Sequence, residues 1–107
     1  LGDNMQEVKI LRLQTGEDVI GKITSSQGLV TINKAFVIIP MQQTPGKPVQ
    51  LMMTPYMPYS ADEEVIIDDS KIMTMVTPKP EILKSYQQNT SSILTPQSEL
   101  ITETKLP

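Results

Sequence analysis

Cysteine, histidine and tryptophan are all absent from the 107 residues, and there is a single phenylalanine. Without cysteine there is no disulfide framework, no thiolate zinc site and no thiol nucleophile, and without histidine the commonest general base and metal ligand is missing. No nucleophile elbow, phosphate-binding glycine loop or paired-carboxylate spacing offers another route to catalysis, so neither an enzyme nor a cofactor is expected. Long apolar runs are lacking too. The longest, such as Phe36 to Pro40, fall far short of the ~20 residues of a membrane span, and no signal-peptide pattern opens the sequence. The expectation is a soluble, cytoplasmic protein without membrane contacts. Basic residues are outnumbered, with nine Lys plus Arg against twelve Asp plus Glu, a net charge of −3. That balance argues against a broad electrostatic grip on phosphate backbones, although it leaves room for a local basic patch on an oligomer.

What is present is aliphatic. A chain of this length buries one core, and with so few aromatics that core is expected to be aliphatic and methionine-rich, with a thin margin that oligomerisation would widen. From Val8 to Val76 the sequence is rich in Val, Ile, Thr and Met and is punctuated by Gly and Pro at short intervals, the pattern of successive short strands. In the first run Leu11 and Leu13 share one face and Val8 and Ile10 the other, so both faces are partly apolar. In the second, Val19, Gly21 and Ile23 alternate with Ile20 and Lys22, and the mid-strand Gly21 allows a sharp bend or close backbone approach. Ser25 to Gly28 reads as a hairpin turn into a long third strand over Leu29–Ile39. Thr44-Pro45-Gly46-Lys47 reads as a type II turn leading to a strand from Val49 to Thr54. Pro55 and Pro58 confine the next segment to an edge or an irregular loop, before short strands at Val65–Ile67 and Lys71–Val76.

The character changes at Thr77. Pro80 and Glu81 suit the first turn of a helix, where a missing N–H costs nothing and a carboxylate meets the positive end of the dipole. A helix is predicted from about Pro80 to Asn89, with Ile82, Leu83 and Tyr86 as its apolar stripe. The organisation is therefore an all-β part over residues 5–77, a helical extension over 78–94 and a Thr-, Ser- and Glu-rich tail over 95–107 expected to be flexible.

Leu11, Leu13, Gly16, Val19, Gly21 and Ile23 fall in the order of the first motif of the Sm-like superfamily, of the LSm and Hfq type, which this stretch resembles. Ile67 and Ile72 have the spacing of the apolar residues that flank Arg-Gly in its second motif. The chain looks most similar to uncharacterised Sm-like proteins of marine bacteriophages. The resemblance implies an all-β fold, a strongly bent five-stranded antiparallel small barrel, here with a C-terminal helix where the usual family helix precedes the barrel. It also implies a homo-oligomeric ring closed through edge strands, and RNA as ligand. Two departures bear on the ligand. Ser25 to Gly28 stand where RNA-binding members carry an Asp and an Asn, and Asp68-Asp69 replace Arg-Gly, reversing the charge where a phosphate would approach. Val49 to Glu64 is also longer than a compact second motif requires.

Each candidate site has a plainer alternative. The alternation around Gly16 and Gly21 also suits another small barrel, such as an SH3-like one. Lys22, Lys34, Tyr56 and Tyr59 are the best nucleic-acid contacts available, the tyrosines as stacking platforms, but no Lys or Arg is interleaved with the tyrosines and edge packing or a protein contact explains them as well. Lys9, Arg12, Lys22 and Lys34 form either a modest basic patch or a dispersed surface. Asp62, Glu63, Glu64, Asp68 and Asp69 lack the spacing of a calcium loop and read as solvated turns. Met41, Met52, Met53, Met57, Met73 and Met75 suit soft-metal binding or an adaptable partner surface, but core and subunit-interface packing explains them better, and Met73 and Met75 share a strand face, as a core pair would. The expected function is binding or assembly: an Sm-like binding module with RNA implied by the family, or a structural or adaptor protein that contacts another protein.

Overall fold

The computed structural model describes residues 7–41, 45–91 and 104–105. Strands β1 (Glu7–Leu13), β2 (Asp18–Ser26), β3 (Leu29–Pro40), β4 (Gln50–Pro55), β5 (Glu64–Asp68) and β6 (Ile72–Val76) are followed by helix α1 (Pro80–Ser91) and a two-residue strand β7 (Thr104–Lys105). The ladders described are antiparallel, in the order β6-β1-β2-β3-β4-β7, with β5 also on β3. The fold is an all-β, strongly bent small barrel with a C-terminal helix, as the sequence predicts. Gln27 and Gly28 both have positive φ, which makes the β2–β3 connection a two-residue hairpin whose twist matches its strands. In the next connection Gly46 has a φ of +89°, while Thr44 lies outside the described residues.

One corner shapes the sheet. Ile20 pairs with Phe36 but Lys22 pairs with Asn33, so Lys34 and Ala35 together face Gly21. Lys34 takes a left-handed φ of 55°, and the extra residue bends β3 and raises its twist. A Cβ on Gly21 would run into the Ile32 side chain and come within 3.0 Å of the Asn33 carbonyl oxygen. Bent in this way, β3 uses one edge twice: Leu29–Asn33 pairs with β5, and Phe36–Pro40 with β4. The strands read at Val49–Thr54 and Val65–Ile67 are therefore β4 and β5 on one edge, one strand more before the helix than the five the resemblance implies. Between them Tyr56–Glu63 forms a loop at the bend, which accounts for the extra length between Val49 and Glu64.

Two apolar layers result. Leu11, Leu13, Val19, Ile23, Val30 and Ile32 fill the barrel, and this core is wholly aliphatic. On the opposite face, Ile20 and Met53 with Val8, Ile10, Phe36, Ile38 and Leu51 receive Ile82 and Tyr86 from α1. This explains why β1 is apolar on both faces: one side lines the barrel and the other lies under the helix. Methionine contributes less than expected. Met53 is buried, but Met73 and Met75 are 65% and 41% exposed and are not a core pair, because β6 is an edge strand that none of the described residues covers.

Tyr86 ties helix to corner. Its hydroxyl, on a fully buried side chain, donates to the Lys34 carbonyl at 2.7 Å, with the Asn33 carbonyl at 3.3 Å as a second acceptor. The ring meets Phe36 edge to face at a centroid distance of 6.0 Å. Burial pushes the phenol far above its ordinary pKa, so the hydroxyl remains a donor across the physiological range.

Gly21→Ala is expected to destabilise the fold by about 1–3 kcal/mol, because the neighbour it strikes includes backbone. Urea unfolding measures this, and an unchanged midpoint would refute the close approach. Tyr86→Phe keeps the ring and leaves the corner carbonyls without their donor, so a loss of about 1–2 kcal/mol is expected in the same assay. Equal stability would mean that the hydroxyl does not hold the corner.

Candidate assembly and ligand surfaces

Among the described residues β5 pairs only with β3 and β6 only with β1, so each presents an unpaired outer edge. Such edges solicit further strands. Large apolar side chains accompany them: Ile66 on β5 is 65% exposed, and Val76 on β6, beside Met73 and Met75, is 48% exposed. The two edges differ in charge. Asp62, Glu63 and Glu64 lead into β5 and Asp68 ends it, whereas β6 is flanked by Lys71 and Lys79. Sequence reasoning weighs Met73 and Met75 as part of an adaptable partner surface but prefers packing for them, and it singles out neither Ile66 nor Val76 as functional. Their signal was an apolar pattern on strands that a short chain leaves at the margin of its sheet, and for Met73 and Met75 alternation alone suggests a core pair instead.

The two turns at which the sequence departs from the motifs it resembles do come together. The Asp69 N–H donates to the Gly28 carbonyl at 2.9 Å, joining the β2–β3 turn to the 3-10 turn Asp69–Lys71 between β5 and β6. Gln14 braces this turn, with its backbone N–H on the Lys71 carbonyl and its side-chain amide on the Ser70 carbonyl, both at 2.9 Å. Asp68 caps the turn by accepting from the Ser70 N–H at 3.0 Å. That backbone hydrogen bond, then the Ser70 side chain and the Lys71 charge, hold its carboxyl below the usual carboxylate range. At neutral pH the joined turns therefore present the anionic Asp68, with Asp69 beside it.

Lys34 and Tyr56 come together at the corner of β3, and Lys22 lies across the ladder from Asn33. A cleft of about 220 Å³ opens where β4 and β5 diverge, lined by Lys34, Phe36, Met57, Asp62, Glu63 and Val65 among others. The Lys34 N–H donates to the Glu63 carbonyl at 3.1 Å and the Tyr56 N–H to the Ala35 carbonyl at 2.9 Å, so both flank this corner. Tyr56 is half-buried against the barrel core, and burial, with the nearby Glu17 charge, raises its pKa. It packs rather than offering a free stacking face. Tyr59 is 86% exposed and is the one of the two that is open to a partner.

Two of the four cations of the wider basic patch, Arg12 and Lys9, are paired with acids. Arg12 makes a paired contact to the Asp18 carboxylate, through Nε at 2.7 Å and a terminal nitrogen at 2.9 Å. That hydrogen bond holds the Asp18 carboxyl below its usual range and raises the guanidinium. Lys9 donates to Thr77 at 3.0 Å and lies 3.6 Å from the Glu7 carboxylate. Among the described residues no three carboxylates are grouped to hold a metal ion, and no helix is long and apolar enough to cross a membrane.

A family model, the Sm_like domain, matches residues 10–87. No curated protein matches the chain. Since the match runs from within β1 to within α1, over a bent antiparallel barrel of the kind that family implies, the chain belongs to the Sm-like domain family.

Proposed function

We propose that this chain is a non-catalytic, cytoplasmic binding protein that assembles head to tail into a homo-oligomeric ring, the β5 edge of one protomer pairing with the β6 edge of the next. The single observation behind this reading is the pair of unpaired edges with opposite charge and exposed apolar side chains. An antiparallel pairing sets Glu63 and Glu64 of one protomer towards Lys79 of its neighbour, and Asp68 towards Lys71. Edges paired in a closed ring no longer template aggregation, and cyclic closure is the ordinary outcome of a head-to-tail contact whose rotation closes. The barrel domain over 5–77 would form this ring, with the segments after it as extensions.

RNA is the ligand class that family membership supports, and Lys22, Lys34 and Tyr59 are the residues that would carry it, with Tyr56 as a packed support. A specific observation favours a second reading, a structural or adaptor protein contacting another protein, phage-encoded if the resemblance to bacteriophage proteins holds. The joined turns that would receive a phosphate carry Asp68 and Asp69, and the corner cleft sets Asp62 and Glu63 beside Lys34.

Reversing the charge of one edge, Glu63→Lys with Glu64→Lys, is expected to weaken assembly, as is Lys71→Glu with Lys79→Glu. An equimolar mixture of the two variants retains one matched interface of every alternating pair, so it is expected to recover association in sedimentation velocity. Wild-type behaviour in both single-edge variants would contradict the edge pairing. Binding of a short labelled single-stranded RNA to nuclease-treated protein decides between the ligand readings. If RNA is the ligand, log affinity falls linearly with log salt by about 0.7 per phosphate neutralised, and Lys22→Ala with Lys34→Ala reduces the slope. No binding at low salt would leave the adaptor reading standing.

A further inference from the structure

The outer edge of β4 differs from those of β5 and β6. Gln50, Leu51, Met52, Met53 and Thr54 carry no charge and no proline, so of the usual protections against strand addition this edge has only Pro55 at its far end. It is already in use. Leu51 pairs with Thr104 and Gln50 with Lys105, antiparallel, while among the described residues nothing pairs with Met52 to Pro55 on that side. The C-terminal segment thus finds a strand partner although its composition reads as a flexible tail.

We propose that the β4 edge is a strand-exchange site at which the C-terminal strand of one copy pairs with β4 of a neighbouring copy. The inference rests on the assembly proposed above, which brings copies together. Residues 92–103 separate α1 from β7, and at about 3.3 Å per residue they reach about 40 Å, comparable to the longest dimension of the molecule, 44 Å. A strand on that length of chain can serve its own β4 or the next. Exchange keeps every ladder contact and changes only the linker entropy, which varies slowly with loop length. In a ring, the neighbouring β4 is present at an effective concentration of the order of millimolar. The exchanged strands cross-connect protomers and cover an otherwise unpaired edge, and they use neither β5 nor β6.

The absence of cysteine makes the test direct. Gln50→Cys and Lys105→Cys are prepared as separate full-length proteins, mixed in equal amounts, oxidised mildly and resolved without reductant, the mixed disulfide being identified by mass. The control mixture pairs Lys105→Cys with Ser26→Cys, an exposed position at the β2–β3 turn. Exchange is expected to give about tenfold more mixed disulfide than the control, the advantage of a site held at high effective concentration. Equal yields in the two mixtures, with the double variant Gln50→Cys/Lys105→Cys closing within one chain, would overturn the proposal. Light scattering on the reduced mixtures separates the two levels: equal yields from a multimer overturn exchange alone, and equal yields from a monomer overturn the assembly with it.

Discussion

The fold hinges on one mismatch in a ladder, two residues of β3 set against a single glycine of β2. Lys34 in its left-handed conformation and Gly21 without a side chain let the backbones close at a point where a Cβ has no room. Everything downstream follows from that bend. It curls β3 far enough for one edge to serve both β4 and β5, it opens the cleft between them, and it turns the outer face of the sheet into a seat for α1.

The helix is therefore more than an appendix. With little aromatic material, the chain places its phenylalanine and a buried tyrosine in the layer between sheet and helix and leaves the barrel interior to aliphatic residues. Tyr86 reaches the carbonyls of the corner itself, so helix docking and strand curvature reinforce each other. Among the described residues nothing covers the outer edges of β5 and β6, and those edges are the structural basis on which assembly is proposed.

Much of this was legible in the sequence because it is local. The apolar alternation of Val8 and Ile10 against Leu11 and Leu13, the mid-strand Gly21, the hairpin glycine at Gly28 and the proline opening the helix at Pro80 each act within a few residues of where they stand. What stayed hidden depends on long-range geometry. Alternation shows that Met73 and Met75 share a face but not whether a layer lies over it. Pro55 and Pro58 do mark the break between β4 and β5, but neither the sharing of one β3 edge by these two strands nor the Tyr86 bond to Lys34 has a local signal, since both arise from the register of β2 against β3. The candidate ligand residues were only partly legible: Lys34 and Tyr56 do flank one corner, but Tyr56 is packed and Lys34 lies in a cleft it shares with two acids.

Assembly through unpaired edges can be tested on the native protein without any substitution. The decisive measurement is its mass in solution, by light scattering behind a sizing column after nuclease treatment. A ring built through β5 and β6 gives a discrete multiple of the 11.9 kDa chain. A stable monomer at working concentration would contradict it, leaving those edges exposed and the barrel an isolated adaptor.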